Sequence, residues 1–302
     1  MLGGGGGKIG ENNKGENMAY GQKSGKIKLP KGKTIAVSIG CDLDAQSIWD
    51  GSFNLLSPAY MSRGEFGAVV GTPRLLKLFK KYNIATTWCI PGHTLDTFSD
   101  VCKEIIDAGH EIAAHGYIHE NPTNATLEEE KKVMDMALES FERIKAPRPV
   151  TYRSPYWDFS PNTLSILEEY GFKYDSSLMG NDLHPYYPRP VITHSDKANE
   201  FGEPSKILEL PVSWYLDDFP QTEYLTGGQE GQRPTGDIFD RWAAIFDYGV
   251  KLEGACYMLT THPQTMGRAH MITMLEKLIA YMDDRGAWFA TAKEIGANFV
   301  AD

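Results

Sequence analysis

The chain has 302 residues, 41% hydrophobic and 23% charged, an ordinary globular composition long enough for one large domain or two small ones. Its 30 Lys and Arg against 40 Asp and Glu give a formal net charge of −10, which argues against nucleic acid or an anionic membrane as the main partner. No apolar run approaches the ~18 residues of a membrane helix, and no charged-then-apolar signal opens the chain, so the expectation is a cytoplasmic protein.

Residues 1–25 are rich in Gly, Asn, Lys and Ser, with Gly3 to Gly7 unbroken. Such a segment buries too little apolar area to offset its ordering entropy and is expected to be a flexible arm. A single domain is expected over 26–302. Thr34 to Gly40 reads as a buried strand, and Thr72 to Lys81 as a helix with Pro near its start. Ala85 to Ile90 is a second strand, Thr97 to Ala108 a helix stopped by Gly109, and Glu111 to Ala114 a third strand running into His115. Thr126 to Ile144 is a long helix with acids in its first turn. Val150 to Arg153 is a strand, a helix opens at Ser160 and ends before Gly171, and Tyr174 to Ser177 is a short strand. Residues 179–205 read as a long functional loop. The strand Ile207 to Pro211 precedes a second long loop at 221–236. A helix over Asp237 to Leu252 leads to the strand Ala255 to Thr260. A helix reaching about Asp284, the strand Ala287 to Ala290 and a terminal helix complete the chain. Repeated strand–helix units imply an α/β fold, a parallel sheet with helices outside, and seven or so strands suit a barrel. No Gly-x-Gly-x-x-Gly follows the first strand, and no phosphate loop is present. Cys41, Cys89, Cys102 and Cys256, without a Cys-x-x-Cys, read as buried free thiols.

The polar residues that carry chemistry cluster where strands end. Asp42 and Asp44 end the first, His115 and His119 follow the third, Arg153 ends the fourth, Trp214 and Asp217-Asp218 follow the strand near Leu210, and His262 ends the strand at Leu259. In a barrel, such strand ends converge on one mouth. His-x3-His suits two nitrogen ligands on one divalent cation, and one carboxylate would leave a position open for chemistry. On an extended backbone Asp42 and Asp44 point to the same side, so one can bind metal while the other acts as base. His262, after a buried strand and before Pro263, fits a proton donor. His93 falls near the mouth, His110 reads as structural, and His184, His194 and His270 read as surface residues. Trp49, Trp88, Trp157, Trp214, Tyr186 and Tyr187 are candidates to cap a flat ring, with Trp88 and Trp288 also reading as core.

The sequence resembles the polysaccharide deacetylase family from about Lys33 onward, in the intracellular branch of peptidoglycan-deacetylase-like, allantoinase-like and cyclic-imide-hydrolase-like proteins. The matching segments are Asp42-Leu-Asp44, Ser62-Arg-Gly-Glu-Phe-Gly, Pro91-Gly-His93, His115-Gly-Tyr-Ile-His119-Glu-Asn-Pro, Arg153-Ser-Pro-Tyr156-Trp, Trp214-Tyr-Leu-Asp217-Asp218 and Thr261-His262-Pro. The resemblance implies a distorted (β/α) barrel of about seven parallel strands and a divalent metal on Asp44, His115 and His119. It also implies Asp42 as general base, His262 as general acid, Arg153 orienting the base, and the Tyr156 backbone N–H on the oxyanion. A homo-oligomer is implied as well. Three departures stand out: Leu43 separates the aspartates, Gly116 replaces a Ser or Thr, and Leu-Thr-Thr-His is one residue longer than usual.

The expected activity is metal-dependent hydrolysis of a non-peptide C–N bond, with zinc first and cobalt, manganese or iron acceptable to the same ligands. A small linear or cyclic amide or imide is the leading substrate class, in a pocket including Arg63, His93, Trp157, Trp214, Asp217 and Asp218. The rival is N-deacetylation of peptidoglycan or another aminosugar polymer. An inactive metal-containing binding protein is the remaining alternative.

Overall fold

The structure is a computed structural model that describes residues 22–228 and 230–301. Its strands in chain order are β1 (Lys23–Ile27), β2 (Ile35–Asp42), β3 (Thr87–Ile90), β4 (Glu111–Ala114), β5 (Thr151–Tyr152), β6 (Tyr174–Asp175), β7 (Tyr186–Tyr187), β8 (Val191–Ile192), β9 (Glu200–Phe201), β10 (Leu208–Glu209), β11 (Cys256–Thr261), β12 (Ala287–Phe289) and β13 (Phe299–Ala301). Strands β11, β2, β3, β4, β5, β6 and β10 lie side by side, all parallel. A bridge between Asp217 and Thr260 ties the segment after β10 back to β11. The seven strands therefore curl into a distorted barrel, as expected. Strand β12 pairs with the first half of β2, and β7, β1 and β13 extend the β10 edge in antiparallel fashion.

Strand β2 shows why the barrel forms. Ile35, Val37, Ile39 and Cys41 join the large core beneath the helices, together with Leu75, Phe79 and Trp88. Ala36 packs with Leu208, Met258 and Ile295 in a separate cluster. Every residue of β2 is buried, as in a parallel strand covered on both faces. The period of two sends Ala36, Ser38, Gly40 and Asp42 to the face opposite Ile35 and Val37, and these small residues leave space that larger side chains of other strands fill.

The expected helices are present as Thr72–Tyr82, Ser99–Asp107, Leu127–Arg143, Thr163–Glu169, Thr235–Gly249, Ala269–Asp283 and Ala292–Ala297. Thr126 and Glu129 form a reciprocal capping box on the long one. The helix Pro58–Phe66 and the π-helical turn Gly67–Gly71 were not foreseen. Gly64, Gly67 and Gly71 lower the local helix propensity, and packing against the short helix Pro263–Met266 overrides it. The arm expected over 1–25 lies outside the described residues up to position 21. Its last part needs correction, because Lys23 and Ser24 pair with β7 and Gly25 with β13. Ile27 is 3% exposed and anchors that strand in the core. The expected loop at 179–205 contains β7 and the small antiparallel ribbon β8–β9. All four cysteines are buried and free, as their apolar settings suggested.

Candidate metal centre and catalytic cavity

The strand ends do converge. Asp42 terminates β2, His115 follows β4, Arg153 follows β5, Ser176 follows β6 and His262 follows β11. Asp42, His115, His119, Tyr156, Trp157, Trp214, Asp217 and His262 line one cavity of about 240 Å³.

Asp44 lies among His115, His119 and His262 beneath this cavity and is fully buried. Its Oδ1 lies 3.4 Å from His115 Nε2 and 3.8 Å from His119 Nε2, and its Oδ2 lies 3.7 Å from His262 Nε2. Each imidazole is oriented through its other nitrogen. His115 Nδ1 donates to the Arg153 carbonyl at 2.7 Å. Ser52 Oγ donates to the His119 carbonyl at 2.8 Å and accepts from His119 Nδ1 at 2.5 Å. Both Nε2 lone pairs therefore turn toward the Asp44 carboxylate. Both Asp44 oxygens and His115 Nε2 are buried without a hydrogen-bond partner among the described residues. Buried polar atoms are rarely left so, and two lone pairs facing a carboxylate call for a cation between them. Ligand atoms of Asp44, His115 and His119 lie within 4.8 Å of one another, so one divalent ion fits all three.

The electrostatics agree. Burial works against an ionised Asp44, yet His119, His115 and His262 together hold its carboxyl below the usual range. Burial also opposes charge on His115, but Asp44 and Asp42 outweigh it and raise that ring. Burial pushes His119 down to about 4, which keeps its lone pair free at neutral pH.

The His115–His119 loop is built for these positions. Gly116 has φ +64°, and an added Cβ would come within 3.0 Å of Glu120 Oε1 and Pro155 Cγ. That conformation and crowding explain why Ser or Thr is absent here. Glu120 accepts from the Tyr117 and Ile118 N–H groups at 3.0 and 2.6 Å, fixing the turn. Sequence reasoning missed Glu120 and Ser52. Glu120 directly follows the second histidine and could have been read from that adjacency. Ser52 lies 67 positions from His119, with no local signal.

Asp42 is held by Arg153, whose Nη1 donates to Oδ1 at 2.6 Å while Nε and Nη2 donate to Ser176 O and Oγ at 2.9 and 3.0 Å. Gly40 makes this possible, because a Cβ there would stand 2.9 Å from Arg153 Nη1. His262 Nδ1 donates to Asp218 Oδ1 at 2.7 Å, and Asp218 also accepts from the His262 N–H at 2.9 Å and from Thr265 Oγ1 at 2.6 Å. Burial opposes a charged His262, yet Asp217, Asp218 and Asp44 raise its pKa well above the ordinary value. Asp217 is pushed up to about 7 by burial and by Asp218, with His262 opposing.

The pocket residues expected from sequence divide. Trp157, Trp214 and Asp217 line the cavity, whereas Asp218 lies behind His262. Arg63 and His93 do not line it. Arg63 pairs with Glu223 and stacks 4.3 Å from the Trp49 ring, in a second cavity. His93 Nδ1 meets Ser47 Oγ at 3.2 Å. Trp49, Trp88 and Tyr186 are core residues, and Tyr187 packs on Phe299, so none of these caps the cavity. The wall is made instead by Trp157 and Trp214, stacked at 4.4 Å, and by the parallel rings of Phe53 and Phe219. Tyr156 and Trp157 adopt φ +61° and +54°, a strained turn for non-glycine residues. His110, read as structural, is pushed down to about 4 by burial and accepts from the Thr86 N–H at 3.1 Å.

Comparisons with known proteins match this architecture. The polysaccharide deacetylase family model covers residues 65–174. A peptidoglycan deacetylase of Helicobacter pylori is 38% identical over 89% of this chain and 97% of its own. A solved Mycobacterium smegmatis structure, whose description places it with the polysaccharide deacetylases, superposes with TM-score 0.80 at 32% identity, covering 91% and 93% of the two chains. A solved allantoinase shares the fold at TM-score 0.74 and 21% identity, over 95% and 97% of the chains.

The chain belongs to the polysaccharide deacetylase family. It is accordingly a hydrolase of carbon–nitrogen bonds other than peptide bonds, in a metal-dependent family. No helix among the described residues is long and apolar enough to cross a membrane.

Proposed function

We propose that this protein hydrolyses the amide bond of a small molecule, a linear amide or a cyclic amide or imide, enclosed in the aromatic cavity. The observation that carries this reading is the cavity's size and wall: about 240 Å³, bounded by Phe53, Tyr156, Trp157, Trp214 and Phe219 around the buried acid–base groups. Apolar flat walls with a few convergent polar groups suit a compact planar ligand.

Asp44, His115 and His119 are the proposed ligands of one divalent ion, zinc by the donor set. When bound, it supplies Lewis-acid polarisation of the scissile carbonyl and a lowered pKa for water. Asp42, held by Arg153, takes the proton of the attacking water. The Tyr156 N–H, in the strained turn, faces the oxyanion. His262, kept cationic by Asp218, delivers a proton to the departing nitrogen, without which an amide leaves poorly. The C–N bond breaks as water's hydroxyl joins the acyl carbon and its proton the nitrogen, giving an acid and an amine from a linear amide and one ring-opened molecule from a cyclic amide or imide.

N-deacetylation of peptidoglycan is the second reading, supported by the 38% identity to the Helicobacter pylori enzyme. Assaying succinimide, allantoin and N-acetylglucosamine oligomers side by side with metal-replete protein separates the two. Turnover confined to the oligomers refutes the small-amide reading.

A further inference from the structure

Phe219 and Pro220 line the catalytic cavity, whereas Thr222, Glu223 and Tyr224 line a second cavity of about 490 Å³, so the short helix Phe219–Thr222 stands between them. The second cavity is electropositive in an acidic protein. Arg63, Arg233 and Arg268 line it, and Glu223 is the one lining carboxylate among the described residues. Glu223 is already committed to Arg63 and to the Tyr224 N–H. Among the described residues, the exposed Arg233 side chain has no ion-pair or hydrogen-bond partner. Arg268 is held in place, with its guanidinium 3.6 Å from the Phe66 ring and its Nε donating to the Gln264 carbonyl at 3.0 Å. Its terminal nitrogens have no acceptor among the described residues. Burial holds Arg268 below the usual guanidinium range, opposed by Glu223 and joined by the smaller effects of Arg63 and Arg74.

A second observation points to a ligand. Gln264 lines this cavity at 2% exposure, and both its side-chain amide atoms lack a hydrogen-bond partner among the described residues. A buried amide left with two unmet groups is an uncommon and costly feature unless something else meets them. It does not belong to the reaction already described, since it lies in neither the metal cluster nor the catalytic cavity.

We propose that this second cavity binds a small molecule bearing a phosphate or carboxylate group, held by the guanidinium groups of Arg233 and Arg268, with the Gln264 amide pairing to a polar group beside the anion. Guanidinium forks match both oxyanions. The site also adjoins the catalytic apparatus, because Thr265 lines the cavity and donates to Asp218, the carboxylate behind His262. The assignment concerns binding and goes beyond the proposed reaction.

The test is calorimetric titration of the full-length, metal-replete protein with inorganic phosphate and, separately, succinate, against chloride at matched ionic strength. Since oxyanions also ligate divalent ions, the wild type is compared with R233A, R268K and H119A. The expected result is saturable binding of at least one probe, weakened about tenfold or more in R233A and R268K and unchanged in H119A. Binding of phosphate alone identifies a phosphorylated ligand, and binding of succinate alone a carboxylate. Arg233 is exposed, so R233A retains the fold, with thermal unfolding measured alongside. No saturable binding above chloride, or binding lost in H119A and kept in both arginine variants, overturns the proposal. Neither result bears on amide hydrolysis.

Discussion

Replacing Glu209 with Gln should make the protein more stable at neutral pH and flatten its pH dependence. Glu209 and Asp175 stand opposite each other on the parallel strands β10 and β6, both fully buried. Glu209 Oε1 accepts from the Ser177 and Leu178 N–H groups at 3.0 Å each, and Asp175 Oδ1 accepts from Ser177 Oγ at 2.7 Å. Glu209 Oε2 and Asp175 Oδ2 are left without a hydrogen-bond partner among the described residues. Burial raises both carboxyls, Glu209 furthest because Asp175 adds to it, while Arg153 partly offsets the rise at Asp175. One proton shared between the two facing oxygens accounts for the arrangement. Tyr186 and Cys256 also feel Glu209, and both are raised by burial. The sign follows. The unfolded chain releases Glu209's proton near the ordinary value of 4.5 while the folded chain keeps it, so stability falls as pH rises from there to the folded pKa. One proton retained by the folded chain costs about 1.4 kcal/mol for each pH unit above the unfolded value over which it is kept. In E209Q the amide oxygen keeps both backbone bonds and the amide N–H donates to Asp175 Oδ2, with no proton required. Urea unfolding of both proteins at pH 5, 6, 7 and 8 reads the difference, which should grow in favour of E209Q by up to that amount. A difference that is constant across pH, or that shrinks as pH rises, refutes the shared proton.

Three further perturbations test the site. S52A removes the hydroxyl that orients His119 and should weaken metal affinity about 10- to 100-fold by chelator competition, with H119A showing a larger loss. D218N removes the charge behind His262. A charge-assisted bond of about 1.5–3 kcal/mol should then disappear, and the alkaline limb of the pH–rate profile should move down by about one to two units. Metal content should stay constant, and its loss in D218N would instead make Asp218 a ligand. W214A deletes a ring that lines both the catalytic cavity and a neighbouring one of about 940 Å³. KM for a small amide should rise about tenfold, as expected for losing an aromatic contact of about 1.5 kcal/mol, with kcat per bound metal retained.

What was legible in the sequence was periodic or local. The apolar run of β2 and the strand-to-histidine junction at Ala114 announced themselves, because register along a strand fixes where its last residue points. His-x3-His is a local loop, and Glu120 closes it within the same turn. Illegible were the contacts set by tertiary packing. Nothing near Arg63 tells that Glu223, 160 positions away, draws it into a different cavity. Nothing in Asp217-Asp218 distinguishes the two, yet Asp218 is the one that accepts from both the backbone N–H and the Nδ1–H of His262. The Pro58–Phe66 helix and the turn after it were hidden by Gly64, Gly67 and Gly71, whose value lies in close packing rather than propensity.

The substrate question narrows to one turn of chain. The acid–base groups alone do not distinguish a small amide from an N-acetylated polymer, because hydrolysis of either asks the same of Asp42 and His262. The walls can. Tyr156 and Trp157 both hold left-handed backbone, at a cost of roughly 1–3 kcal/mol each. Tyr156 also ties its hydroxyl to the Ser52 carbonyl, on the same residue that orients His119. The next ring, Trp157, carries the stack with Trp214. One strained turn thus links metal-ligand orientation, the proposed oxyanion donor and the width of the entrance. Widening that entrance for a polymer means moving Trp214, which is 45% exposed and has Trp157 as its ring-stacking partner, rather than rebuilding the turn. Under the proposed reaction, the size of the substrate would be set by the more displaceable partner of a stack whose other half is locked to the chemistry.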